Sequence, residues 1–104
     1  MCYGCWEKGG RPELDSPAIR RAVELMGKVY EFSGVGGNLH IVLDDWNIDD
    51  DDLDWCEQAV SEGGRYGNHD PEQLAAEREC LNALRALTME ERHSAMAREW
   101  GFLS

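Results

Sequence analysis

Two thiols, Cys2 and Cys5, stand at Cys-x-x-Cys spacing at the head of the chain, and Cys56 and Cys80 lie far downstream. Thiolates at this spacing can both face one tetrahedral cation, with Gly4 letting the turn close tightly enough for backbone N–H groups to reach sulfur. A structural zinc needs two more ligands, and His40, Asp44, Cys56, His69, Cys80 and His93 can supply them. The preferred set is Cys2, Cys5, His40 and Cys56, because one zinc ion would then fasten an otherwise unstructured N-terminal lead onto two helices. Asp44 stands one helical turn from His40, and Asp44 or Cys80 is the natural replacement within that set. The competing reading is apolar, since Cys56 and Cys80 fall on or beside helix stripes where buried thiols are common. A thioredoxin-like redox pair fits less well. That chemistry uses a Cys-x-x-Cys between a strand and a helix, and only Met1 precedes this one.

The second concentration of chemistry is acidic. Seven aspartates fall between Asp44 and Asp54. Counted from Asp45, oxygen donors occupy positions one, three, five and seven of an EF-hand loop, but Asp50 stands where glycine is required and Cys56 where the bidentate glutamate belongs. Calcium is disfavoured accordingly. Much of the run is explained by a helix whose positive end sits at Asp49 to Asp52. A sharper reading makes Asp50, Asp51 and Asp52 a docking face for a basic partner, with Trp46 and Trp55 as aromatic anchors or as core. The enzymatic alternative is a metal-dependent hydrolase or nucleotide-acting enzyme using His40, Asp44 and Asp45. No spacing marks Ser33, Ser61 or Ser94 as a nucleophile, and Gly34-Val35-Gly36-Gly37 lacks the Lys-Ser/Thr of a phosphate-binding loop. A non-enzymatic interaction protein is the stronger expectation.

Composition narrows the partners. The 104 residues carry 21 acidic and 10 basic side chains, a formal net charge of −11. Binding to phosphate backbones needs the opposite excess, so direct nucleic-acid contact is excluded and a charged partner should be basic. No stretch approaches the roughly 18–20 apolar residues needed to cross a bilayer. Residues 1–6 do not pair a basic segment with an apolar run as a signal peptide does, so a cytoplasmic, reducing setting is expected, in which disulfides are disfavoured.

The elements that must position these groups read as helices. Ser16 can cap and Pro17 can open a helix over residues 17–33, with Ile19, Ala22, Val23, Met26, Val29 and Tyr30 on one face and Gly34 as its stop. Residues 38–47 have the β-branched centre of a short strand, yet no partner strand is in view, and a short buried helix is the better assignment. Residues 49–62 form a helix burying Leu53, Cys56, Ala59 and Val60. Asp70-Pro71-Glu72-Gln73 and Thr88-Met89-Glu90-Glu91 open two more, the first carrying Leu74, Glu77, Leu81, Leu84 and Leu87, the second Ala95, Met96 and Trp100. The fold class is mostly α: a small single-domain bundle over residues 1–104, of about four to five helices, with a cysteine-containing lead.

The segments Met1-Cys2-Tyr3-Gly4-Cys5-Trp6, Gly36-Gly37-Asn38-Leu39-His40-Ile41-Val42-Leu43-Asp44-Asp45-Trp46-Asn47 and Asp54-Trp55-Cys56 together resemble a group of small accessory proteins encoded by tailed bacteriophages. Cys80-Leu81-x-Ala83-Leu84 and Glu91-Arg92-x-Ser94-Ala95 extend the likeness over nearly the whole chain. The resemblance implies a phage origin and expression in a bacterial host cytoplasm, and it implies nothing about catalysis. The expected partner is a host macromolecule, with the chain acting as an inhibitor or nucleic-acid mimic. The residues it shares, Cys2, Cys5, His40, Asp44, Asp45 and Cys56, are the first to test.

Overall fold

A computed structural model describes residues 3–31, 38–63 and 70–103, and of His40 the backbone alone. Among these residues there are six helices and no strand: α1 (Tyr3–Lys8), α2 (Pro17–Glu31), α3 (Asn38–Asp44), α4 (Asp50–Ser61), α5 (Pro71–Arg85) and α6 (Met89–Glu99). Helices α2 to α6 are those expected. The sixth, α1, replaces the unstructured lead. It forms because Trp6, 2% exposed, gains a buried seat that offsets the cost of ordering a short helix. The expected stop at Gly34, the joint at 34–37, Cys2 and His69 lie outside the described residues.

Local chemistry sets the helix starts. Ser16 Oγ accepts the Ile19 N–H at 3.1 Å, and Asp70 Oδ1 accepts from Glu72 at 2.9 Å ahead of Pro71. Thr88 and Glu91 exchange reciprocal bonds of 2.9 and 3.2 Å, a complete capping box. Ile19, Ala22, Leu25, Met26 and Val29 are buried along α2, which lies against α5 and α6. Leu53, Cys56, Ala59 and Val60 face inward from α4, which packs on α3 and α5.

Helix α3 is seven residues long, too short to persist alone. Leu39, Val42 and Leu43 bury its inner side. Its start is held by a side chain from α5: the Glu77 carboxylate, fully buried, accepts the Leu39 N–H at 2.7 Å and the Asn38 Nδ2–H at 3.4 Å. A buried acid in a leucine stripe is thus satisfied by a helix N-terminus, whose unpaired N–H groups and partial positive charge suit it.

Arg92 of α6 is the basic counterpart. It is 4% exposed, and its guanidinium donates to Leu84 O at 2.7 Å, Ile48 O at 2.9 Å and Asp50 Oδ1 at 2.8 Å. One planar cation therefore joins the end of α5, the chain before α4 and the first residue of α4.

Replacing Glu77 by alanine should remove the acceptor of the buried Leu39 N–H and cost about 2 kcal/mol of stability. Urea unfolding of the E77A variant measures this directly, and a loss below about 1 kcal/mol would remove Glu77 as the anchor of α3.

Candidate functional site

The acidic residues gather at the N-terminal turn of α4. Asp49 is the cap, its Oδ1 accepting the Asp52 N–H at 2.9 Å. That hydrogen bond holds the Asp49 carboxyl below its usual range, while partial burial and the adjoining Asp49 and Asp51 charges push Asp52 up. Asp50 is committed to Arg92 although its own side chain is 79% exposed. Further along, Arg85 bridges Asp54 and Glu57 across the α4–α5 seam. Among the described residues no cation pairs with Asp45 or Asp51, and both are exposed. The turn is therefore braced from within by Arg92 and presents carboxylates outward.

The two tryptophans expected beside this turn part company. Trp55 is half-buried and packs on the edge of the core. Trp46 is only 6% exposed and does not stand as a surface anchor; of the two roles open to it, it takes core. The reason lies in how α3 ends. Trp46 N–H donates to Leu43 O at 3.0 Å and Asn47 N–H to Val42 O at 2.9 Å, with Trp46 at φ +56°, a helix-ending arrangement that usually takes glycine. The left-handed backbone costs about 1–2 kcal/mol for a residue with a side chain. Burial of the indole, worth roughly 4 kcal/mol, offsets it.

That indole enters an aromatic cluster joining both ends of the chain. Trp46 lies 5.7 Å from the rings of Trp100 and His93 and 6.3 Å from Phe102. Phe102 in turn meets Trp6 at 6.0 Å and Tyr3 at 5.2 Å. Two glycines aim these rings. Gly10, φ +91°, turns the chain out of α1, with Arg11 N–H reaching Trp6 O at 3.0 Å; Gly101, φ +83°, turns it out of α6, with Phe102 N–H reaching Ala97 O at 2.7 Å. The lead beyond α1 is held by polar contacts as well. Ser94 Oγ accepts the Leu14 N–H at 3.0 Å and donates to Pro12 O at 3.1 Å, and Trp6 Nε1 donates to the same carbonyl at 3.0 Å. Aromatic packing and Ser94 hold residues 3–14 against α6 and the turn that follows it.

The cysteines occupy separate environments. Cys5 is half-buried on α1, whose packing partner is α6. Cys56 and Cys80 are fully buried, as free thiols, where α4 meets α5. Burial pushes each of these two thiols up to about 12, with the Glu77 charge adding to the effect at Cys56 and the neighbouring Cys56 at Cys80. Of the set Cys2, Cys5, His40 and Cys56, the described members Cys5 and Cys56 thus stand on elements with different packing partners. No group of three metal-ligating side chains converges among the described residues.

Asp44 and Asp45 lie exposed at the end of α3, and the described residues enclose no pocket beside them. Ser94 is consumed by its two backbone contacts, and Ser61 accepts from Arg78. Sequence reasoning missed Glu77, Arg92, Ser94 and Phe102 as organising residues. Glu77 did leave a signal, an acid among leucines at helical spacing. No family model, curated protein or solved structure matches the chain.

Folded protein treated with a chelator and then with iodoacetamide near neutral pH should be alkylated at Cys5 and spared at Cys56 and Cys80. A thiol raised from about 9 to about 12 carries about a thousandfold less thiolate. Peptide mass spectrometry reads the pattern, and modification of Cys56 without denaturant would show that the α4–α5 interface opens.

Proposed function

We propose that this chain is a non-enzymatic, acidic accessory protein of phage type that docks onto a basic surface of a host macromolecule in the bacterial cytoplasm, acting as an inhibitor or nucleic-acid mimic. The observation that carries the reading is the braced acidic turn. Arg92 fixes Asp50 and the Ile48 carbonyl from the buried side, so the carboxylates of this turn are presented in set positions rather than on a mobile loop. Pre-ordered charge lowers the entropy lost on binding and speeds encounter with a basic partner. A net charge of −11 supplies the long-range attraction. Asp51 and Asp52 with the half-buried Trp55 form the contact face, and Asp50 acts as its internal brace.

Because Asp50 pairs with a buried arginine, charge reversal there would confound folding with binding. The informative variant is Asp51→Lys with Asp52→Lys. Immobilised wild-type protein should capture a stoichiometric basic partner from bacterial lysate at low salt, and the double variant should lose most of that capture, the difference shrinking as salt rises. Equal capture by both proteins removes the acidic face from the account.

A structural zinc held by the Cys2–Cys5 pair, with His40 and Cys56 as the ligands expected to complete it, belongs to the same proposal. Recruiting Cys56 would require its buried thiol to give up a proton that burial retains. Freshly purified, never-chelated protein should carry about one zinc per chain, lost in Cys5→Ser. A clearly substoichiometric metal content excludes the ion.

A further inference from the structure

We propose that His93 is a pH-sensitive latch, holding the C-terminal end of α1 against α6 near neutral pH and releasing it when the imidazole gains a proton. The contact is unusually close. A Cβ placed on Gly9 would lie 3.1 Å from both Nδ1 and Cε1 of His93 and 3.5 Å from Cγ, so the bare backbone of Gly9 rests directly on the ring. Trp46 lies beside the same ring, at 5.7 Å and tilted by 51°. Among the described residues, the buried His93 Nδ1 has no hydrogen-bond partner, and the same is true of the Trp46 indole N–H.

This surrounding suits a neutral imidazole that carries its proton on Nε2 and leaves Nδ1 bare. A second proton must sit on Nδ1, which is buried beneath Gly9 and meets no acceptor among the described residues. An unpaired buried N–H on a charged ring is costly, and the direct way to solvate it is for Gly9 to move away. Burial alone lowers the His93 pKa. The charged and titratable groups around it are otherwise engaged or turned outward. On α1, Glu7 and Lys8 are exposed and Cys5 is half-buried. On the chain that follows α1, Arg11 lies over the Tyr3 and Trp6 rings, and Glu13 is exposed. On α6, Glu90 is exposed, Glu91 binds Thr88, Arg92 binds Asp50, Arg98 reaches Leu14 O and Asp15, and Glu99, its carboxyl pushed up by burial, lies toward Gly27 of α2. On α2, which also packs on α6, Arg20, Arg21, Glu24, Lys28 and Glu31 are exposed and Tyr30 accepts from Trp100 Nε1. Beside Trp46, Asp44, Asp45 and Asp49 are exposed.

The sign follows from the depressed pKa. Closure is fully favoured above the ordinary histidine value of about 6.5 and is lost as pH falls through the lower value of the closed state. Ser94, next to His93, keeps its bonds to Pro12 and Leu14, so the movement is a local lifting hinged near Pro12. Lifting loosens the bonds from Gly9, Gly10 and Arg11 back into α1 and draws Trp6 from Phe102.

Hydrogen exchange of the amides of residues 5–11, corrected for intrinsic rates, tests the latch at pH ~7.5 and ~5. Wild type should lose about tenfold protection there at the lower pH, while the amides of α5 keep theirs. His93→Phe should show no such loss, and Gly9→Ala, whose methyl would stand 3.1 Å from the ring so that one of the two must give way, should lower protection at both values. The same pH response in His93→Phe as in wild type, or wild-type protection in Gly9→Ala, overturns the proposal. Should His93→Phe fail to fold, an NMR titration of wild type decides: the midpoint of the His93 ring must coincide with that of the residue 5–11 amides, and separated midpoints overturn the latch.

Discussion

A carboxylate with no access to water, Glu77, is the constraint from which the arrangement of this small bundle follows. It is tolerable in an apolar interface because the Leu39 N–H and the Asn38 side-chain amide, both from the first turn of α3, donate to it there. The pairing is mutual. A seven-residue helix needs an external partner for its N-terminus, and the acid needs a donor. Once α3 is seated on α5 by this contact, its far end is placed too, and with it the left-handed turn that sends Trp46 inward.

Arg92 solves the opposite problem with the same economy. The guanidinium donates to Leu84 O at the end of α5, which also accepts the Leu87 N–H, and to Ile48 O ahead of α4, while remaining paired with Asp50. Two buried side chains of opposite charge therefore tie α3 to α5 and α6 to the end of α5 and the start of α4. The acidic turn on the surface inherits its rigidity from this buried arginine, so a structural device and the proposed docking face share one residue, Asp50.

The ends of the chain meet in the aromatic cluster. Tyr3 and Trp6 arrive from α1, Phe102 from the turn after α6, and Trp46 from the turn after α3, so the cluster closes the bundle across its whole sequence length. Aromatic rings suit this task because each buries a large area at a small cost in side-chain freedom. Where one of these contacts includes an ionisable ring, as at His93 and Gly9, the clasp becomes sensitive to protonation while the helices behind it are not.

Helix positions and inward faces were legible in the order of the residues. Ser16-Pro17, Asp70-Pro71 and the Thr88–Glu91 box are local devices whose partners lie within three residues, and the spacing of Leu53, Cys56, Ala59 and Val60 places them on one side of any helix. The contacts that organise the site were not legible, because their partners are distant: Glu77 with Leu39, Arg92 with Ile48 and Asp50, Ser94 with Pro12, Phe102 with Trp6. The lead read as unstructured for the same reason, since six residues carry too little local signal to show a helix that exists through what it packs against. Composition and short-range pattern settled that this chain is acidic and helical. Which charges are buried, which tryptophan faces inward and what holds the amino-terminal segment were decided only by tertiary contacts, because burial and long-range pairing depend on neighbours that adjacent residues do not specify.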